Sequence, residues 1–535
     1  MPRVTAGEAV LLFLLASTPL PHVVVSSGTS PTPFVFGTSS SSWQYEGALT
    51  TDGRGPSIWE AFCKSTNTDG TPNCKGGLTP STTADNQYNL TQLKQDILLM
   101  QHLNTTAYRL SLSWSRIMPT GRLPINQRGV KHYKQVFQLL EAAGIVPYVT
   151  LYHFDLPLAL EQEENGWLNG SMIQHFATYA QVCFQHFHPY VHHWITINEA
   201  HTIATAGYLY GNAAPGRCSN RSFCAQGNGT TEPYVVGHNL LRSHAAAVAE
   251  FRAFNAKHRV NSSDITMVVS GDWTAPYDTT NPLDVAASQR RQEFQIGWFA
   301  DPLWFGNYPL SMLERLPERL PVFTPEEQAL LKGSADYFAL NHYTSRYGQA
   351  PPEEQCQQGR LNGTVRSQGW DDDQCCTALT ANQHGVAIGP KPKGNDWLYS
   401  VPWGFERLLV WVGRRYGNET SIIVTENGCV DPIVDRSMLN DRSMLNDRPM
   451  NDSFRINYHR EYLAALKKAK DVHGVNVDGY FIWSLLDNVE WGDGYSDKFG
   501  LYSFGLFCGT PILGKNCESK CNMVCKGDLQ LVPVM

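Results

Sequence analysis

Long apolar runs and dense charge are both missing from this 535-residue chain, and each absence removes a class of function. The N-terminal apolar stretch, Ala9 to Ala16, is too short to cross a bilayer. Asp, Glu, Lys and Arg make up only 17% of the residues, the net charge is −7, and no basic tract occurs, so neither a nucleic acid nor an anionic membrane surface is indicated as a partner. No glycine fingerprint opens the first helix after a strand, which argues against a dinucleotide site. A zinc centre is not indicated either: the late run Cys508, Cys517, Cys521 and Cys525 has no nearby histidine, and no metal or other cofactor is expected. What is present is 42% hydrophobic and 11% aromatic content, enough for a large core and a folded globular protein.

The N-terminus carries an address. Arg3, the short apolar stretch and then Pro19, Pro21, Ser26, Ser27 and Gly28 read as a secretory signal peptide over residues 1–28, leaving no membrane segment after its removal. Nine Asn-x-Ser/Thr triplets, at Asn89, Asn104, Asn169, Asn220, Asn228, Asn261, Asn362, Asn418 and Asn451, fit a secretory route to the extracellular space or to a vacuolar or lysosomal compartment. Thirteen cysteines suit an oxidising compartment, and their odd number leaves at least one outside any internal pairing. Cys218 and Cys224 flank a short polar loop, as do Cys63 and Cys74, and either pair is spaced to close a disulfide; Cys183 sits in an apolar helical stretch and reads as a buried thiol.

One rhythm dominates the rest. Apolar, β-rich runs occur at Phe34 to Ser40, Thr106 to Trp114, Val146 to Phe154, Val191 to Glu199, Ile265 to Trp273, Asp336 to Ser345, Ser421 to Gly428 and Val477 to Asn488. Between them lie stretches of helical period, among them Ala84 to His102, Arg128 to Ala143, Ser171 to His188, Tyr234 to Phe251, Trp403 to Tyr416 and Phe454 to Val472. Strands apolar on both faces and alternating with helices imply a parallel sheet, and eight such units imply a closed α/β barrel, a (β/α)8 TIM barrel, in a single domain over residues 29–504. An open doubly wound sheet is the alternative that the missing glycine fingerprint disfavours.

In such a barrel the chemistry gathers at the C-terminal ends of the strands. Glu199 ends the fourth run and Glu426 lies near the end of the seventh, each an ionisable group after a run too apolar to solvate it. Strands four and seven face one another across a barrel, and cleavage of a glycosidic bond needs two opposed carboxylates. The intervening chain is longer than plain βα units require, and the excess falls near residues 211–232 and 346–396, which read as long rim loops over the site.

The chain resembles glycoside hydrolase family 1, the β-glucosidase family, and most of all its secreted plant-type members. The motifs are Phe34 to Thr38 with Gln44 to Gly47, Tyr108-Arg109 with Ser113 to Arg116, His153 to Pro157, Asn198-Glu199, Asn341-His342-Tyr343, Thr425 to Gly428, and Trp483 to Asn488 with Glu490-Trp491, all in family order. The resemblance implies a retaining β-glycosidase acting by double displacement on a small-molecule β-glucoside or short oligosaccharide. Glu426 matches the nucleophile and Glu199 the general acid that later serves as base. Arg109 and Tyr343 match the residues that contact the nucleophile. Gln44, His153, Asn198, Tyr343, Trp483, Glu490, Trp491 and Phe499 match the sugar-binding set, with amides and carboxylates for hydroxyls and indoles for the apolar ring face.

Departures from the family pattern are local. Ala200 replaces the usual proline after the acid, and Phe154 stands where tryptophan is common. Residues 435 to 452 form a near-perfect tandem repeat to which no chemistry is assigned, in a loop that tolerates insertion. Where the family continues into a final barrel-closing helix, this chain has a Cys/Gly-rich tail over residues 505–535 without helical period, so the last helix is expected to be lost or replaced. Two other readings follow from the same residues. One is a variant activity, either glucosyl transfer or thioglucoside hydrolysis, although family thioglucosidases replace the acid that Glu199 retains. The other is a silent sugar-binding protein, which only the altered C-terminus favours.

Overall fold

The computed structural model describes residues 34–75, 86–352, 369–392, 395–430 and 452–502. The signal segment, nearly all of the tandem repeat, the late cysteine run and the expected loss of the final helix lie outside the described residues.

Twelve strands are present: β1 (Val35–Ser39), β2 (Ala107–Ser111), β3 (Val146–Tyr152), β4 (His193–Ile197), β5 (Asp264–Thr266), β6 (Val268–Ser270), β7 (Trp273–Pro276), β8 (Phe338–Asn341), β9 (Ser345–Gln349), β10 (Thr377–Leu379), β11 (Ile422–Asn427) and β12 (Val477–Ile482). Nine of them form one parallel sheet in the order β5-β4-β3-β2-β1-β12-β11-β8-β6. Its two ends, β5 and β6, are halves of one chain segment separated by Met267 alone, so a single residue joins the sheet's edges. Counting β5 and β6 as one broken strand, the sheet is the eight-stranded barrel expected from the eight apolar runs. The remaining strands, β7, β9 and β10, form a small side sheet on the rim.

The alternation of side chains sorts the barrel into layers. Val35, Ala107, Tyr148, Ile195, Val268, Ala339, Ile423 and Phe481 form an apolar floor inside it, separate from the larger core between strands and helices. On β2, Tyr108 and Leu110 face that outer core, while Ala107 joins the floor and Arg109 reaches the interior carboxylate of Glu426. Above the floor the interior is therefore polar. Gly37 on β1 has no room for a side chain, since a Cβ there would lie 2.5 Å from the Phe481 ring and 2.7 Å from the Ala107 carbonyl oxygen.

The outer helices follow their patterns. Gln127–Ala142 begins at Asn126, whose side chain accepts from the Arg128 N–H, and buries Val130, Tyr133, Val136, Phe137 and Leu140 at three- and four-residue spacing. Met172–Phe187 and Glu232–His258 pack together, with Phe184 edge-on to Phe251 at 5.4 Å and to Trp194 at 5.0 Å. Several expected runs are shorter than drawn. The second strand stops at Ser111, and Trp114–Ile117 is helical. The fifth run is cut at Met267 and again before β7. Helices Pro282–Gln292 and Trp298–Phe305, joined by a π-helical turn at Glu293–Gly297, carry no clean hydrophobic period, because the first buries Asp284, Ser288, Arg291 and Gln292 while exposing Leu283 and Val285, and the second is apolar nearly all round.

Both proposed disulfides, Cys63–Cys74 and Cys218–Cys224, are formed, and Cys183 is buried. The seven described sequon asparagines, Asn89, Asn104, Asn169, Asn220, Asn228, Asn261 and Asn418, are all exposed. Among the described residues no helix is long and apolar enough to cross a membrane.

Replacing Gly37 by Ala should lower thermal stability by about 1–3 kcal/mol, because the added methyl must displace the Phe481 ring or the strand pairing. Calorimetry on wild type and variant checks this, and an unchanged transition would contradict the tight packing of the floor.

Candidate active site

The two glutamates reach one cavity by different backbone devices. On β11 the side chains alternate until the register slips between Val424 and Glu426 against β8, and between Val424 and Asn427 against β12. This bulge lets consecutive residues both reach inward: the Thr425 hydroxyl donates to Asn341 Oδ1 at 2.7 Å, while the Glu426 carboxylate meets Arg109 and Tyr343. On the other side β4 ends at Ile197, and Glu199 adopts a left-handed backbone with φ 43° before helix Ala200–Thr205 begins. A left-handed conformation is uncommon for a glutamate, costs about 1–3 kcal/mol, and is typical of residues held for a purpose. Phe154 and Trp491, which line the same cavity, share it with φ of 71° and 48°.

Glu426 is 3% exposed, and both of its oxygens are used as acceptors. Arg109 Nη1 donates to Oε1, and the Tyr343 hydroxyl donates to Oε2 at 2.6 Å. Arg109, itself fully buried, also donates through Nη2 to Asn198 Oδ1 at 2.6 Å. Glu199 has no cation against it. Its Oε2 accepts from the Thr202 hydroxyl and its Oε1 from the Asn341 amide, both at 2.6 Å. Burial, and after it the negative charge of Glu426, pushes its carboxyl up to about 7; the bonds from Thr202 and Asn341 pull the other way. One continuous chain of hydrogen bonds thus runs from Glu199 through Asn341, Asn198 and Arg109 to Glu426.

The cavity holds about 720 Å³, within the size range of small-molecule sites. Of the residues expected to hold a sugar, His153, Asn198, Tyr343, Trp483, Glu490, Trp491 and Phe499 line it. His153 is buried, and its ring is held well below its usual range by burial and by the charge of Arg109, so it is neutral; its Nε2 lies 3.2 Å from the Asn198 amide nitrogen. Glu490 accepts from the Trp483 indole N–H at 3.3 Å, and burial pushes its carboxyl up to about 8. Trp491 is wedged among Trp43, Trp59 and Phe154, with ring centroids at 5.5, 4.8 and 4.9 Å. Gln44 is not on the cavity wall. It is fully buried behind it, accepting from Ser41 at 2.6 Å and donating to Asn488 and Val489 at 2.8 and 2.9 Å.

Sequence reasoning gave no role to Asn341 or Thr202, the two donors to Glu199. Asn341 was within reach of it, since a polar residue closing an apolar barrel strand is placed as Asn198 is. Thr202 lies three residues after Glu199, one helical turn on, and only the left-handed turn at Glu199 brings its hydroxyl back to the carboxylate. No group of three or more His, Cys, Asp or Glu side chains among the described residues is arranged to hold a metal ion.

The sequence model of Glycosyl hydrolase family 1 matches residues 26–506. The chain is 42% identical over 483 residues to Beta-glucosidase 40 of Arabidopsis thaliana, a match covering 89% of each chain. The solved rice Os3BGlu6 beta-glucosidase shares its fold with a TM-score of 0.79 and 40% identity over 89% of this chain and 95% of that one. A glutamate-to-glutamine mutant of that rice enzyme, solved in a covalent complex with Glc from GA4GE, gives a TM-score of 0.78 at 39% identity with the same coverage. Because these likenesses run from before the first barrel strand to beyond the last, the chain belongs to glycosyl hydrolase family 1 and is an O-glycosyl hydrolase of the β-glucosidase kind.

Proposed function

We propose that the chain is a retaining β-glucosidase that removes terminal β-D-glucosyl residues from small-aglycone glucosides or short oligosaccharides. The observation that carries the reading is the unequal environment of the two carboxylates in one cavity. Glu426, with a guanidinium on one oxygen and a phenolic donor on the other, is equipped to attack the anomeric carbon. Glu199, pushed up to about 7, keeps its proton at mildly acidic pH and can give it to the leaving oxygen. Once the leaving group departs, the same residue, now ionised, takes a proton from the water that attacks the glucosyl-enzyme ester. The covalent Glc complex of the rice relative supports an intermediate of that kind.

The remaining wall has the chemistry of a glycone site. Asn198, hydrogen-bonded to Arg109, is placed to meet the hydroxyl next to the reacting carbon, and a bond there that strengthens in the transition state assists catalysis. A protonated Glu490 both donates and accepts, which suits a pair of sugar hydroxyls, and the Trp483 and Trp491 indoles offer a platform for the ring face. Gln44 acts from behind this wall by fixing Asn488 and Val489, which precede Glu490. We also assign the protein to the secretory pathway. The disulfides Cys63–Cys74 and Cys218–Cys224 and the exposed sequon asparagines among the described residues support that assignment.

Release of phenol from an aryl β-glucoside should be readily measured with wild type and should fall roughly 10⁴-fold or more in Glu426→Gln. Unimpaired release by that variant would refute the assigned nucleophile. The basic limb of kcat/KM should reflect Glu199, with activity lost as pH rises through about 7 and the proton donor ionises. Thr202 donates to the ionised form of Glu199, so Thr202→Val should move that limb to higher pH; a shift to lower pH would contradict the assignment.

A further inference from the structure

The bulge that turns Glu426 inward also ends the regular pairing beside it. The register joins β8 to β11 only as far as Asn341 opposite Glu426. Beyond that point the chain's carbonyls are met by side chains: that of His342 accepts from the Asn427 amide at 2.6 Å, and that of Tyr343 accepts from two phenols, Tyr458 at 2.8 Å and Tyr462 at 3.2 Å. A backbone carbonyl withdrawn from water needs a donor, so these side chains stand in for the missing strand.

Both phenols come from the outer helix Ser453–His473, one turn apart, with their rings stacked at a centroid distance of 4.0 Å. Each hydroxyl is committed twice. That of Tyr458 donates to the Tyr343 carbonyl and accepts from the Asn427 amide at 2.9 Å, and Asn427 in turn accepts from the Tyr480 hydroxyl at 2.6 Å. That of Tyr462 accepts from the Val401 N–H at 3.0 Å. Tyr458, Tyr462, Tyr480 and Asn427 are all buried. The Tyr343 ring itself meets Trp397 and Phe499 edge-on, at 5.8 and 6.0 Å, contacts that leave it room to tilt. The direction of its hydroxyl therefore depends on where its backbone is held.

We propose that Tyr458 and Tyr462 are positioning residues for the nucleophile: by holding the Tyr343 carbonyl from the outer helix, they keep the Tyr343 hydroxyl on Glu426 Oε2. This inference rests on the glucosidase reading above. The hydroxyl lies 2.6 Å from Oε2, and a hydrogen bond weakens steeply with distance and angle, so a small drift of the Tyr343 peptide loosens it. Glu426 would then keep the guanidinium on one oxygen and lose its fixed orientation at the other. A displacement of about 1 Å in a reacting group can cost a hundredfold in rate. Neither Tyr458 nor Tyr462 lines the cavity, so what they do for the reaction passes through Tyr343.

The test is a mutant cycle read on p-nitrophenyl β-glucoside. Tyr458→Phe/Tyr462→Phe keeps both rings and removes both hydroxyls, and its kcat/KM should fall about tenfold. The deciding readout is coupling: in a Tyr343→Phe background, where no hydroxyl is left to aim, the same double substitution should cost less than about twofold. Tyr462→Phe alone, which leaves the Asn427 bonds untouched, should show the same coupling at smaller size. The acidic limb of kcat/KM should move to higher pH in Tyr343→Phe and in the double variant alike, because a carboxylate that loses a donor holds its proton more tightly and the nucleophile must be ionised to attack. Tyr308→Phe, which removes a buried phenol hydroxyl bonded to His238, should leave kcat/KM within about twofold of wild type. Additive losses in the cycle, an unmoved acidic limb, or a double variant as active as wild type overturn the proposal; if the double variant does not fold, Tyr462→Phe decides on the same two readouts. Wild type inactive on every glucoside would instead refute the glucosidase reading, and this inference with it.

Discussion

The site hangs on a buried ion pair. Arg109 and Glu426 are both withdrawn from water in the barrel interior, and such a pair is sustained only when the rest of its hydrogen-bonding capacity is met. Here Arg109 is shared with Asn198, Glu426 is completed by Tyr343, and Asn198 is held in turn by Asn341. The partners come from four strands of the barrel or from just beyond them: Arg109 from β2, Asn198 after β4, Asn341 and Tyr343 at and after the end of β8, and Glu426 from β11. Only closure of the sheet brings them together. Removing one partner would leave an uncompensated charge in a low-dielectric interior, a loss typically of about 3–5 kcal/mol.

From that pair follows the inequality between the two glutamates. A guanidinium hydrogen-bonded to Glu426 acts on Glu199 only as a more distant charge, the weakest of the influences on it; Glu199 accepts from the neutral donors Thr202 and Asn341 and faces the negative charge of its counterpart. Burial and that charge both favour its protonated form. The left-handed backbones at Phe154, Glu199 and Trp491 belong to the same economy of shape: three strand- or loop-end residues are turned out of ordinary geometry so that their side chains enter one cavity. The packing that holds them there is dense, with Trp491 contacting Trp43, Trp59 and Phe154.

Much of this was legible along the chain because a parallel barrel writes its strands as fully apolar runs and its site at their ends. The runs that became β1, β3 and β11 are found within one or two residues of their expected limits, and the amphipathic helices Gln127–Ala142 and Met172–Phe187 nearly coincide with theirs. Legibility failed where the local signal is not periodic. Helix Pro282–Gln292 buries the polar side chains Asp284, Ser288, Arg291 and Gln292 and exposes Leu283 and Val285, and Trp298–Phe305 is apolar nearly all round, so hydropathy gives neither helix a polar outer face. It was thin also at Thr202, a donor to Glu199 that no motif marks.

By itself the sequence determined the barrel, the pair of strand-end glutamates and the two short disulfide loops, since each depends on composition or spacing within a few residues. Tertiary structure alone decided that Asn341 and Thr202 serve Glu199, that Asn198 links Arg109 to Asn341 between the two carboxylates, and that the two disulfide loops, about 150 residues apart, dock through Thr68. Those outcomes rest on a bulge in β11, a left-handed turn after β4 and contacts between distant segments, none of which leaves a periodic trace in the order of residues.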